Sequence, residues 1–184
     1  MNRPRLVVTL ALAATLASSV PVAAEQASLQ SVKAATARFH SVSQASAAGY
    51  SLAGEPCVTG PGGAAMGIHA VNHALASDLS IDPANPEILL YLPASDGSLK
   101  LVGVEYFAVA LANSDGGPIP WFGADPPASG WFNPAPTVLG QTLEGPMPGH
   151  NPQMPWHYDL HVWLRSDNPD GPFAAFNPAL DCPD

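Results

Sequence analysis

Residues 156–165 alternate between apolar and polar side chains, which is the pattern of a β-strand. The apolar positions are Tyr158, Leu160, Val162 and Leu164. The positions between them are His157, Asp159, His161, Trp163 and Arg165. Two imidazoles beside a carboxylate form the densest group of metal-binding and acid–base side chains in the chain. We therefore interpret this strand as the carrier of the candidate site.

Residues 27–48 have the spacing of an amphipathic helix. Neither proline nor glycine interrupts this stretch, and its apolar residues recur at steps of three and four: Leu29, Val32, Ala35, Phe39 and Val42. Gly49 follows and is expected to end the helix as a left-handed cap. The pattern therefore predicts one N-terminal helix.

Two further segments, residues 87–92 and 99–111, have the composition of strands and flank the dipeptide Asp96-Gly97. An Asp-Gly turn between strands is a strong hairpin signal. Counting alternate positions places Glu105 on one face with Leu99, Leu101 and Phe107. A carboxylate among apolar neighbours is costly unless it is paired, hydrogen-bonded or coordinated, so Glu105 is a candidate functional residue.

Residues 118–155 contain ten of the 21 prolines. Proline at this density argues against a regular helix or a central strand, so we expect a long ordered loop. Its aromatic residues are Trp121, Phe122, Trp131 and Phe132. They are expected to cover a face of the sheet or, alternatively, to roof a pocket.

These elements predict an α+β fold in which the N-terminal amphipathic helix packs on a mostly antiparallel, curved sheet. After Gly49 the strands are separated by turns, with no alternation of strands and helices, which argues against a parallel sheet. Residues 25–184 are long enough for a single domain with its own core. The alternative is a small β-barrel with an external helix.

Residues 1–24 have the order of a signal peptide: a basic start, an apolar run and small residues before the cleavage point. Cleavage is expected after Ala24. No later segment has the length of a transmembrane helix, so we expect a soluble periplasmic or secreted protein. Loss of Arg3 and Arg5 with the signal peptide would change the net charge from −9 to −11. Nucleic acid and anionic lipid are therefore poor partners, whereas cations are suitable ones.

Cys57 and Cys182 are the only cysteines. In an oxidising compartment they are expected to form a disulfide that fastens the C-terminal tail to the start of the core. The alternative is that two free thiols join a metal site.

Several segments resemble a family of exported bacterial proteins that has no established activity. They are ATARFH at 35–40, AAGY at 47–50, MGIH at 66–69, PEILLY at 86–91, LVGVEYF at 101–107, YDLHVWL at 158–164, NPDGPF at 168–173 and NP at 177–178. The resemblance spans most of residues 25–184. It implies that His69, Glu105 and His161 belong to motifs, and that His73, His150 and His157 fall at less characteristic places.

His69, Glu105 and His161 could supply two imidazoles and a carboxylate to one divalent ion, zinc or copper. Asp159 could orient one imidazole or replace Glu105 as a ligand. His73 would join His69 only on a helix, since on a strand the two are about 13 Å apart, and the flanking glycines favour an extended segment. The alternative is that His161 and Glu105 form a buried hydrogen-bonded pair that stabilises the sheet.

Enzymatic activity stays open, because the chain has no glycine-flanked nucleophilic serine, paired-cysteine motif or dinucleotide fingerprint. The leading interpretation is an exported protein that binds a divalent metal. One alternative is a module that binds a small apolar ligand under the loop containing Trp121 and Phe132. Another is a structural or interaction protein of the cell envelope, with protein partners that the sequence does not identify.

Overall fold

The computed structural model describes residues 22–52, 54, 56–113, 115–125 and 131–183. The predicted signal peptide lies largely outside these residues, so its cleavage stays a prediction. Within the described residues, no helix is long and apolar enough to cross a lipid bilayer.

The centre of the fold is an open sheet with strand order β1-β3-β4-β5-β11-β10, and β2 pairs with the same strand, β3, as β1. All of its strand pairs are antiparallel. Its strands are β1 (Ser51–Leu52), β2 (Val58–Thr59), β3 (Ala65–Val71), β4 (Ile88–Pro93), β5 (Leu99–Val109), β10 (Glu144–Met147) and β11 (His157–Trp163). Two small pairs lie outside it: β6 (Leu111–Ala112) with β7 (Trp131–Phe132), and β8 (Thr137–Val138) with β9 (Gln141–Thr142). The predicted α+β fold with a mostly antiparallel sheet is confirmed, and the sheet is not closed into a barrel.

The N-terminal helical region covers one face of the sheet. It consists of α1 (Val22–Ala35), a 3-10 turn (Ala37–His40) and α2 (Val42–Ala47), where the sequence predicted one continuous helix. The Thr36 hydroxyl donates to the Val32 carbonyl at 2.8 Å, and the Ser41 hydroxyl accepts from the Gln44 amide as a new helix begins. The break turns Phe39 into the core, where it is 1% exposed. Gly49 ends the region with φ 95°, as predicted.

The second face of the sheet is covered by its own apolar cluster and by the C-terminal tail. The cluster contains Ile88, Leu90, Val102, Phe107 and Trp163, and Leu180 and Cys182 of the tail pack against it. Cys57 and Cys182 form the predicted disulfide, with their Cα atoms 5.6 Å apart. Both faces of β11 are therefore buried, which explains why its polar side chains do not meet bulk water.

The hairpin between β4 and β5 is confirmed at Asp96-Gly97, but its second strand contains a bulge that the sequence did not indicate. Leu90 pairs with Gly103 and Tyr91 pairs with Leu101, so Val102 has no direct partner on β4. An unpaired extra residue shifts the alternation of side chains along the strand. Leu101 consequently packs on the helix-covered face, whereas Phe107 packs on the other face. The prediction that Glu105 shares a face with Leu99 and Leu101 is wrong, and its predicted place beside Phe107 is right.

The prediction of a long loop over residues 118–155 is wrong in part, since this segment contributes β7, β8, β9 and β10. Glu144 of β10 pairs with Asp159 of β11, and Met147 pairs with His157. Pro146 is tolerated there because β10 is the edge strand.

Among the aromatic residues of the proline-rich segment, Phe132 contacts Trp156, the residue before β11. The Phe132 ring lies 5.8 Å from the Trp156 ring, and the Trp156 indole N–H donates to the Gly123 carbonyl at 2.7 Å. Trp121 and Phe122 are 38% and 52% exposed. The expected covering role of these aromatic residues stays a prediction.

A third helix, α3 (His73–Ala76), follows β3. Asn72 caps it by accepting from the amides of Ala74 and Leu75. His73 is exposed on this helix, and His69 lies on β3 as the flanking glycines indicated.

Candidate metal centre

Three strands bring His69, Glu105 and His161 together on the tail-covered face of the sheet. His161 of β11 is paired directly with Glu105 of β5. Glu105 is paired with Ile88 of β4, and His69 of β3 is paired with Leu90 two residues further along that strand. The register thus places long side chains from β3 and β5 on the same side of the strand between them.

One ligand atom from each residue falls within 4.8 Å of the other two, and the group could hold a metal ion. The Nε2 atom of His69 is 3.3 Å from Oε2 of Glu105, and the Nε2 atom of His161 is 3.6 Å from the same oxygen. The side chains of Glu105 and His161 are 1% and 2% exposed, whereas that of His69 is 12% exposed. The group is therefore buried, and what access to solvent it has is on the side of His69.

Electrostatics keep Glu105 ionised. Burial by itself would raise the pKa of this carboxyl, but the neighbouring His161 and His69 outweigh burial and lower its pKa below the ordinary value. A buried carboxylate that stays charged needs a cationic or hydrogen-bonding partner. Glu105 therefore offers an anionic oxygen ligand at neutral pH.

The spacing of these atoms is close to that of ligands around one metal ion. Charge-assisted N–H···O bonds to carboxylates are about 2.7–2.9 Å long, shorter than the contacts here. A tetrahedral ion bound at about 2.0–2.1 Å spaces its ligand atoms about 3.3–3.4 Å apart. Among the described residues, neither Oε2 of Glu105 nor Nε2 of His161 makes a hydrogen bond. At 3.6 Å, the predicted hydrogen-bonded pair of His161 and Glu105 is not formed.

A second group contains His150, His157 and Asp159, whose ligand atoms also lie within 4.8 Å of one another. Oδ2 of Asp159 is 3.3 Å from Nε2 of His157. The sequence predicted that Asp159 would support or join the group of His69, Glu105 and His161. The structure places it with His150 and His157.

The His157 ring is held on several sides. Its Nδ1 atom is 2.9 Å from the Pro155 carbonyl oxygen, and the Phe107 ring stacks on it at 5.0 Å between centroids. The His150 ring stands nearly perpendicular to it at 5.1 Å. Burial and the neighbouring His157 lower the pKa of His150, which favours the neutral, ligand-competent imidazole.

Sequence reasoning missed His150 and His157 as site residues. A signal for His157 was present, because it shares the face of β11 with Asp159 two residues away. His150 had no such signal, because its position depends on the pairing of β10 with β11 inside a proline-rich segment.

Glu87 is a further buried carboxyl that belongs to neither group. Its side chain is 1% exposed, and its Oε2 atom accepts a hydrogen bond from the Phe107 amide at 3.1 Å. Burial raises its pKa to about 8 despite that hydrogen bond, and the charges of Asp78 and Glu105 add to the effect. Glu87 is therefore largely protonated at neutral pH.

Thiolate ligands are excluded, since both cysteines are in the disulfide. A tetrahedral ion bound by His69, Glu105 and His161 would keep one position for water or an exogenous ligand, as catalytic zinc sites do. Two imidazoles and a carboxylate suit zinc or copper better than calcium or magnesium, which prefer oxygen ligands.

No protein-family model, curated protein or solved structure matches this chain. The resemblance to a family of exported bacterial proteins therefore stays a prediction. Function has to be inferred from the side chains themselves.

Proposed function

We propose that the protein is an exported binder of a divalent transition-metal ion, held by His69, Glu105 and His161. The observation that carries the proposal is the spacing of the three ligand atoms around Oε2 of Glu105, at 3.3 and 3.6 Å. The 3.3 Å separation equals one edge of a coordination tetrahedron, and the 3.6 Å separation is about 0.2 Å longer than such an edge. An ion at their centre would neutralise the buried carboxylate.

The placement of the ligands supports the same proposal. All three are on strands of one sheet, and Glu105 and His161 are directly paired. Ligands on rigid strands are held close to their binding geometry before the ion arrives, so little ordering opposes binding. Zinc and copper are the ions we expect, given the imidazole and carboxylate ligands.

Export is the other part of the proposal. The disulfide between Cys57 and Cys182 is typical of an oxidising compartment. The N-terminal sequence up to Ala24 has the features of a cleavable signal peptide. The excess of acidic residues favours cations over nucleic acid or anionic lipid as partners.

The test is zinc and copper binding to purified, chelator-treated protein, measured by calorimetry and by thermal unfolding. An ion that binds only the folded state adds about 2.7 kcal/mol of stability at a free concentration one hundred times its dissociation constant. Glu105→Gln keeps the size of the side chain and removes its charge, so binding at this site is expected to be lost. Magnesium is expected to give no response.

His40 and His73 provide matched controls, because both are exposed and lie outside the two groups. His40→Ala and His73→Ala should bind zinc as the unaltered protein does. Circular dichroism of metal-free Glu105→Gln checks that the variant is folded. The proposal fails if folded Glu105→Gln binds zinc with unchanged affinity and stoichiometry, or if the unaltered protein binds neither zinc nor copper.

A further inference from the structure

We infer that His150, His157 and Asp159 form a second metal site, so that the chain binds two divalent ions. Nothing in the proposed site requires these residues. The two groups share no ligand, and each brings its three ligand atoms within 4.8 Å of one another.

The backbone carbonyl of Pro155 fixes the tautomer of His157. Its Nδ1 atom lies 2.9 Å from the Pro155 carbonyl oxygen, which can only accept a hydrogen bond. Nδ1 therefore carries the proton, and in the neutral ring Nε2 carries a lone pair. A backbone carbonyl that fixes the opposite nitrogen in this way is a common support for metal-bound histidines.

The lone pair of His157 points at another acceptor. Nε2 is 3.3 Å from Oδ2 of Asp159, and the His157 side chain is fully buried. Within the described part of the chain, Nε2 has no hydrogen-bond partner. Two acceptors facing each other in a buried place are costly unless a cation lies between them.

A proton on Nε2 would be the simplest cation between the two groups, but the distance from Nε2 to Oδ2 of Asp159 favours a metal ion. An imidazolium bonded to a carboxylate sits at about 2.7–2.9 Å. A tetrahedral ion bound at about 2.0–2.1 Å spaces its ligands about 3.3–3.4 Å apart, which matches the observed 3.3 Å.

His150 completes the group from the loop after β10. The pairing of Met147 with His157 brings that loop back over β11, and the two imidazole rings lie 5.1 Å apart. His150 is exposed, whereas His157 and Asp159 are buried. The second ion is therefore reached from solvent through His150.

The two sites are neighbours on one face of β11. Asp159 and His161 are alternate residues of that strand, so their Cα atoms are roughly 7 Å apart. Phe107, which stacks on His157, lies two residues from Glu105 on β5. Because one of its ligands is on an exposed loop that must be ordered, we expect the second ion to bind more weakly than the first.

The experiment is a zinc titration of the chelator-treated protein by calorimetry, with bound zinc counted by mass spectrometry after gel filtration. The unaltered protein is expected to bind two ions. His150→Ala removes an exposed ligand and leaves no buried cavity. It should lower the affinity for one of the two ions by at least about tenfold. Asp159→Asn should do the same, Glu105→Gln should remove only the other ion, and His73→Ala should keep both.

The outcomes separate this inference from the proposed function. If the unaltered protein binds one ion, and binding is lost in Glu105→Gln but unchanged in His150→Ala, the second site is overturned and the first is kept. If the one ion is weakened by His150→Ala and unaffected by Glu105→Gln, the first site is overturned and the second is supported. A single ion weakened by all three variants, or no ion at all, overturns the two-site arrangement.

Discussion

Glu87→Gln should make the folded protein less sensitive to pH. Glu87 is buried, and its pKa is raised from 4.5 to about 8, first of all by burial. A carboxyl whose pKa is higher in the folded state binds its proton more tightly there than in the unfolded chain. Its contribution to stability is therefore fully present below about pH 4.5 and is lost as the pH rises through about 8.

The size of the effect follows from those two pKa values, since each factor of ten in proton affinity is worth about 1.4 kcal/mol. The Glu87 contribution should fall by about 3 kcal/mol between about pH 5 and about pH 7.5. Glutamine is neutral throughout, has nearly the same size, and still offers an oxygen to the Phe107 amide. The stability of Glu87→Gln relative to the unaltered protein should consequently rise by about 3 kcal/mol over that range.

The measurement is urea unfolding of both proteins across this pH range, at fixed ionic strength and with chelator present. Comparing the two proteins cancels other titrating groups that the substitution does not touch. Glu144→Gln removes an exposed carboxyl on edge strand β10 and is the matched control. It should stay within about 0.5 kcal/mol of the unaltered protein at every pH. A constant difference between Glu87→Gln and the unaltered protein from pH 5 to 7.5 would show that the pKa of Glu87 is not raised in the folded protein.

Two stability predictions concern covalent and backbone features. The disulfide closes a loop with a sequence separation of 125, so the paired change Cys57→Ser and Cys182→Ser should lower the free energy of unfolding by roughly 5 kcal/mol. A loss below about 1 kcal/mol, measured by urea unfolding, would contradict this prediction. Gly67 has φ 105°, and an added Cβ would lie 2.8 Å from the Tyr91 carbonyl oxygen, so Gly67→Ala should cost about 1–3 kcal/mol. Gly62→Ala, also at positive φ but with open space around its Cβ, is the control, and an equal loss in both variants would show that the contact with Tyr91 is unimportant.

Local patterns were enough to predict the elements that the site depends on. The alternation along β11 separated His161 from Leu160 and Val162 correctly, because side chains on an uninterrupted strand change face at every residue. The Asp96-Gly97 turn located the β4–β5 hairpin for an equally local reason.

Features that depend on tertiary pairing were beyond sequence reasoning. The bulge at Val102 shifts the alternation along β5, and it shows only in the register against β4. The break at Thr36 replaces a helix that periodicity alone would continue, because side-chain hydroxyls there bond to backbone groups. His150 lies beside His157 and Asp159 only because β10 pairs with β11.

The most direct test of the metal site is anomalous scattering at the zinc edge from crystals of the protein grown with zinc. We expect a peak about 2.0–2.2 Å from the Nε2 atoms of His69 and His161 and from Oε2 of Glu105. With zinc in excess, an empty position between these three side chains would contradict the proposed metal site, whether or not zinc is found elsewhere on the protein.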